Sequence, residues 1–506
     1  MQYILAHDLG TSGNKATLYA LDGTLKGSVV CEYPTYYPNS GWVEQDADDW
    51  WKAVCDSTKQ LLEKTDISAS AVACVCFSAQ MMGCLLIDRN NVPLRRMITW
   101  ADTRSSVQEK YLLEHITMEQ VYKITGHRLS ASNSGVKLLW VRDNEPELFK
   151  RAGKMLHAKE YIILKLTGEI VTDFSDAGGT NLLDINNRDW SQDLLSVFDI
   201  PRDILPDIYP STHIAGKVSA EAARHCGLLE GTPVVTGGGD GSCATIGAGA
   251  VKVGKVYNVI GSSSWFSSAT EAPVFDPLMR IFNWIHMDER MYSPCGAMQA
   301  AGFSYAWFRN SLCKEELDAG SAAGVSAYKL IDELASAVKP GAGGLLFLPY
   351  LLGERSPLWD HDARGAFVGL GISTSKGEMA RAVLEGVGFN LKAILDIFNE
   401  DSPVENVTMI GAGVKGDVWL QILADIWQRP LLVPRYLEEA TSMGAAICGG
   451  VGVGIYDDFS VAEEMNMPVR CIEPDAGNAG VYDELYKVFT KAYTQLKPIY
   501  RSLAEV

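Results

Sequence analysis

The sequence predicts an α/β fold built from two similar halves, and three observations carry that reading. A meander of short apolar strands opens the chain and is followed by a helix and a buried strand. The same strand–turn–strand pattern, with the same turn chemistry, returns after residue 255. A chain of 506 residues also exceeds what one hydrophobic core organises, at roughly 100–200 residues per domain.

Each element follows from its residue types. Residues 3–6 form an apolar strand, Leu9-Gly10-Thr11-Ser12-Gly13-Asn14 a tight turn, and residues 16–21 a second strand. Asp22-Gly23 is a hairpin signal leading into a third. Asp46, Asp48 and Asp49 suit the positive end of a helix whose apolar face is Trp50, Val54, Leu61 and Leu62. Trp50 and Trp51 are read as core. Residues 71–77 form a buried strand ending in the polar Ser78-Ala79-Gln80. In the second half, residues 256–260 are a strand, Gly261-Ser262-Ser263-Ser264 a turn, and Trp265-Phe266 the start of the next strand. Gly247, Gly249 and Gly254 punctuate the region between, dividing the chain into residues 1–247 and 248–506. No low-complexity linker separates the halves, so they are expected to touch and to hinge.

Composition removes several classes of function. With 44 Lys+Arg against 62 Asp+Glu, the formal charge of −18 disfavours nonspecific nucleic-acid or anionic-membrane binding, which needs a basic surface. A hydrophobic share of 47% excludes whole-chain disorder. No apolar run approaches the ~20 residues of a membrane helix, and His7-Asp8 interrupts the N-terminal apolar stretch, against a signal peptide. Eleven cysteines without a CxxC pair point to free thiols in a reducing compartment, the cytoplasm. Cys74 and Cys76 share one face of a strand and read as core thiols, not metal ligands.

Three glycine-rich turns follow apolar strands: Gly10-Thr11-Ser12-Gly13, Gly261-Ser262-Ser263-Ser264 and Gly411-Ala412-Gly413. Glycine lets backbone N–H groups approach an oxyanion, and hydroxyls add donors. None is a Walker loop or a complete GxGxxG, and any one of them alone is more often just a hairpin. Three together point to a nucleotide held between the halves. Asp8, beside the first turn, could hold a hydrated Mg²⁺ against phosphate oxygens. Asp240 follows Gly237-Gly238-Gly239, where a carboxylate could take the proton of an acceptor hydroxyl during phosphoryl transfer. Both residues could equally cap turns.

Longer motifs narrow the reading. One runs Ser132-Asn133-Ser134-Gly135-Val136-Lys137-Leu138-Leu139-Trp140-Val141. A second runs from Gly365-Ala366-Phe367-Val368-Gly369-Leu370 through Glu378-Met379 to Ala382-Val383-Leu384-Glu385. Asp173-Phe174-Ser175-Asp176-Ala177, Phe347-Leu348-Pro349-Tyr350 and Gly353-Glu354-Arg355-Ser356-Pro357 support them in order. On these motifs the chain resembles the FGGY carbohydrate kinases, and within them the xylulokinases. The resemblance implies two ribonuclease-H-like domains of the actin and hexokinase type with an interdomain cleft, and ATP-dependent phosphorylation of a sugar with Mg²⁺. It implies Asp240 as base and Asp8 as the metal- and phosphate-side carboxylate. Gly10, Thr11, Ser12, Lys15, Gly261 and Ser262 would line the phosphates, and Gly302, Gly411, Ala412 and Gly413 the adenosine. Gln80, Met81, Met82, Trp100, Asp102, Asp240 and Gly241 would meet the sugar. A small-molecule sugar is the implied partner, and the family allows a homodimer.

Three departures bear on the substrate. Xylulokinases usually carry His, Asn and Asn where this chain has Met82, Ala101 and Gly241. Each change removes a polar side chain able to meet a sugar hydroxyl, which predicts poor use of D-xylulose and a better substrate among other ketoses, deoxy sugars or short polyols. The leading substrate class is a ketopentose such as D-xylulose, with another ketose, polyol or sugar acid as the alternative. Two rival classes are an actin- or chaperone-like ATPase and a catalytically degenerate sugar sensor.

Overall fold

The computed structural model describes residues 2–505. Strands Tyr3–Leu9, Gly13–Ala20 and Leu25–Glu32 form the expected antiparallel meander. The first strand runs further than residue 6 and carries His7 and Asp8 inside it. Asp46 caps the helix Ala47–Thr65 by accepting from the Asp48 N–H, and Asp48 and Asp49 lie in its first turn. Trp50, Val54 and Leu61 are buried along it. The next strand, Val72–Ala79, pairs parallel to Tyr3–Leu9. Pro233–Val235 pairs parallel to Val72–Ala79, and Ile214–Lys217 closes the edge antiparallel.

The second half repeats this plan. Val256–Ile260, Ser264–Ser268 and Tyr292–Met298 form an antiparallel meander. Val407–Ile410 and then Leu431–Pro434 add parallel strands beside Val256–Ile260, and Pro468–Ile472 closes that edge antiparallel. One further strand, Phe282–Ile285, extends the meander. The two sheets share one order and one set of directions, which is that of two ribonuclease-H-like domains.

The sheet faces show why the halves act as one body. Along the first strand, Leu5 and Leu9 pack with Trp50 and Phe77, while the alternate residues Ile4 and Ala6 lie with Cys74 and Cys76 in a second cluster. That second face is covered by Ala445, Ala446 and Cys448 of the helix Ala440–Gly452, which follows the strands of the other half. Conversely, the helix Asp240–Gly247 lays Ala244 against Tyr257 and Val259 of the second sheet. The two helices cross at backbone contact: a Cβ on Gly247 would lie 1.8 Å from the Ala440 carbonyl oxygen, and one on Gly444 1.9 Å from that of Cys243. All eleven cysteines are free, with Cys74 and Cys76 buried. No helix among the described residues is long and apolar enough to cross a membrane.

Candidate active site

The parallel pairing of the first sheet assembles the site. Asp8 stands opposite Ser78, Gly238 opposite Ser78 on the other side, and Gly239 opposite Ala79. The ends of three chain segments thus lie side by side, where open α/β sheets hold ligands. Ser78 Oγ donates to Asp8 Oδ1 at 2.9 Å. Asp240 begins the Asp240–Gly247 helix, and its Oδ1 accepts from the Gly241 N–H at 2.8 Å.

The two carboxylates disturb each other. Desolvation and then the charge of Asp8 push the Asp240 carboxyl up, to about 7. Its side chain is exposed to the open cleft, so water offsets part of that rise until a ligand covers it. Desolvation also raises Asp8, outweighing Lys15 and Ser78. Two oxygen donors short of positive charge suit a hard divalent cation, so Asp8 fits a Mg²⁺ site. A base with a raised pKa is protonated, and idle, over a wider acid range. Accordingly kcat/KM for the sugar is expected to fall at acid pH, between the ordinary carboxylate range and about 7, and Asp240→Asn to lack that limb in its residual activity. An unchanged acid limb in the variant would assign it to another group.

The residues expected on the nucleotide side form two clusters. Gly10 closes the first turn by donating to the Gly13 carbonyl at 3.0 Å, and Thr11 and Ser12 are exposed at its tip. Lys15, beside Asp8 in the hairpin register, donates to the Glu438 carbonyl at 2.9 Å and so ties the first hairpin to the second half. In the second half, the Gly302 N–H donates to the Gly261 carbonyl at 3.0 Å and the Phe303 N–H to that of Ser262 at 2.9 Å. Gly411, at φ +94°, brings the Gly411–Gly413 turn against Ile260. The structure therefore gathers Gly261, Ser262, Gly302, Gly411, Ala412 and Gly413 around the end of one strand.

One residue expected at the sugar is placed otherwise. Asp102 is fully buried and saturated, accepting from Val43 N, Arg104 N and the Arg104 guanidinium at 2.6–3.0 Å. It has no oxygen left for substrate. Gln80 is also buried; its Nε2 donates to Gln45 Oε1 at 2.7 Å, while Gln45 Nε2 donates to the Thr11 carbonyl at 2.5 Å. The pair braces the Gly10–Gly13 turn, and Gln80 Oε1 is left without a partner. Trp100 Nε1 donates to Thr11 Oγ1 at 3.1 Å, joining the sugar block to the same turn. Met81 is buried against Trp284 and Cys295 and abuts Gly239, next to Asp240. Met82 has a left-handed backbone, φ +60°, uncommon for a residue with a side chain. Around Gly241 there is open space.

Other supporting residues carry no local sequence signal. Lys137 is buried and donates to the carbonyls of Met82 (2.8 Å) and Ser132, which holds the strained Met82 in place. Desolvation lowers its pKa to about 7. A second network reaches Gly239, the residue before Asp240. Lys159 Nζ pairs with Asp173 Oδ1 at 2.6 Å; Ser175 Oγ and Ser211 Oγ each donate to Asp173 Oδ2 at 2.7 Å; Ser175 Oγ in turn accepts from Gly239 N at 2.9 Å. His157, Glu160 and Asp176 adjoin it within metal-ligating distance of one another, but the Lys159 ammonium, 3.2 Å from Asp176, already supplies the cation. Motif membership marks Lys137, Asp173, Ser175 and Asp176 in the sequence, and nothing there marks His157, Lys159, Glu160 or Ser211.

Comparison with known proteins decides the family. The model of the N-terminal domain of the FGGY family of carbohydrate kinases matches residues 3–247, and that of its C-terminal domain residues 256–453. The chain belongs to the FGGY family of carbohydrate kinases. Among curated relatives of this kinase, the xylulose kinase of Bacillus subtilis (strain 168) is 32% identical, covering 99% of each chain. A gluconokinase of the same organism is 31% identical, covering 99% of this chain and 98% of its own. Among solved structures, a ligand-bound xylulose kinase from Lactobacillus acidophilus matches with a TM-score of 0.92 at 28% identity, covering 99% of this chain and all of that one. The kinase is thus an ATP-dependent sugar kinase, with relatives of two different substrates at equal distance.

Proposed function

We propose that this kinase transfers the γ-phosphoryl group of ATP to a hydroxyl of a short sugar, a ketopentose or else another ketose, polyol or sugar acid, with D-xylulose a usable but poor substrate. The observation that carries the reading is the convergence of Asp8 and Asp240 at the same strand ends of the first sheet, beside the gathered glycine turns of the second half. Asp240 takes the hydroxyl proton as the oxygen attacks the γ-phosphorus, the bond to the β-phosphate oxygen breaks, and ADP leaves. Asp8 would hold Mg²⁺, which neutralises phosphate charge when bound. Lys15 and the Thr11–Ser12 tip would face the phosphates. We divide the chain at 247/248, a division supported by the two sheets lying on either side of it. A cytoplasmic setting is supported by the free thiols. A homodimer is kept as part of the proposal on family grounds.

The test reads ADP release from the purified protein against ketoses, polyols and sugar acids. Met82 and Gly241 offer no hydrogen bond to a pentulose, and each missing bond is worth ~0.5–1.5 kcal/mol, so two together shift KM by roughly 10- to 100-fold. D-xylulose is therefore expected to be turned over with kcat/KM below that of the best sugar. The double variant Met82→His, Gly241→Asn is expected to move preference back towards it. The open space at Gly241 accepts the new amide, and histidine tolerates the left-handed backbone at 82. If D-xylulose is already the best substrate of the unmodified protein, the reading of these departures is wrong.

A further inference from the structure

We propose that Arg128 and Arg355 form a binding site for the carboxylate of a sugar acid, which makes a polyhydroxy acid the preferred acceptor. This deepens the kinase reading above and rests on it. The two guanidiniums line one pocket that spans the halves, Met82, Arg128 and Asn133 coming from the first and Trp284, Arg355 and Trp359 from the second. The pocket adjoins the base: Met82 follows Met81, which abuts Gly239, and Cys295 packs with Met81 within reach of the charges of both Arg355 and Asp240.

What sets these arginines apart is that their guanidiniums have neither a counter-charge nor an oxygen partner. Elsewhere in this acidic protein, low-exposure arginines are either paired, as Arg104 is with Asp102 and Glu44, Arg95 with Glu44 and Glu145, Arg381 with Glu385 and Arg280 with Asp276, or hydrogen-bonded to protein oxygens, as Arg188, Arg309 and Arg429 are. Among the described residues, neither Arg128 nor Arg355 has a salt bridge, although both are only partly exposed. Glu109 and Glu354 are the acidic groups whose charge reaches them, and neither lies at pairing distance. Arg128 lies over the Trp359 ring, 5.0 Å from its centroid, a contact that restrains the guanidinium. A planar carboxylate meets such a fork through two parallel N–H···O bonds. The flat faces of Trp284 and Trp359 suit the carbon side of an extended sugar, and the Asn133 amide its hydroxyls. The pocket therefore supplies, at one end, the charge that a neutral ketose leaves unanswered.

The experiment measures ADP release by the full-length protein with D-gluconate, D-xylonate, D-glucitol, D-xylulose and D-fructose 6-phosphate. The aldonates are expected to exceed D-glucitol in kcat/KM by about 100-fold or more, since a buried cation without its partner discriminates strongly. Arg128→Gln is expected to raise KM for the better aldonate about 10- to 100-fold and that for D-xylulose less than about threefold, with Arg128→Lys in between. Equal changes for acidic and neutral sugars, no aldonate preference, or a preference for the sugar phosphate would each overturn the proposal while ADP release on another sugar keeps the kinase reading. No ADP release on any sugar overturns both. Should Arg128→Gln fail to melt cooperatively, thermal protection of the unmodified protein by D-gluconate but not D-glucitol supports the site, and equal or absent protection overturns it.

Discussion

Asp240→Asn is expected to lower kcat by at least ~10²-fold while leaving ATP affinity nearly unchanged. The amide keeps the size of the carboxylate and can still accept the Gly241 N–H, so the helix start at residue 240 survives. What it loses is the lone pair that takes the hydroxyl proton. It also removes the repulsion that Asp8 exerts at this position, so nucleotide and metal binding have no reason to weaken. Steady-state kinetics with saturating sugar, beside nucleotide binding measured by calorimetry, separates the two quantities. Near-normal turnover in a folded variant would remove Asp240 from the chemistry.

The second large effect is on stability. Gly444→Ala puts a methyl group 1.9 Å from the Cys243 carbonyl oxygen, a backbone atom that cannot step aside alone. The helices of the two halves must separate to admit it, at a cost of about 3 kcal/mol, the upper end for overpacking. Gly480→Ala is the control, because nothing lies within 4 Å of its new methyl and alanine favours a helix. Thermal melts should show Gly444→Ala several degrees below the parent and Gly480→Ala at or above it. Equal melting temperatures would mean the crossing is looser than described.

Much of the fold was legible because local rules decide it. Alternating apolar residues and glycine turns located both meanders, and carboxylates beside glycines located Asp8 and Asp240. The failures share a cause in tertiary pairing. Asp102 was read as a sugar ligand because nothing local says whether a carboxylate faces a cleft or a buried arginine; here Arg104, two residues on, takes it. Lys159 and Ser175 reach Gly239 only through the fold, as Arg128 meets Arg355 only across the halves. The helix Ala440–Gly452 belongs by sequence to the second half, yet it covers the first sheet.

That cover has a consequence for how the protein is made. As the chain leaves the ribosome, every strand of the first sheet is available once residue 239 has emerged. The face bearing Ile4, Ala6, Cys74 and Cys76 is covered only in part by Cys243 and Ile246 until the residues of Ala440–Gly452 follow, some ~200 residues later, an interval on the order of ten seconds or more. During that time a flat, greasy surface is open to any neighbour, and chaperone capture there would be productive, not corrective. The N-terminal half made alone would keep that surface permanently. It is therefore expected to be insoluble, or to need the 440–452 segment added in trans, so that synthesis of the first half is finished only by the end of the second.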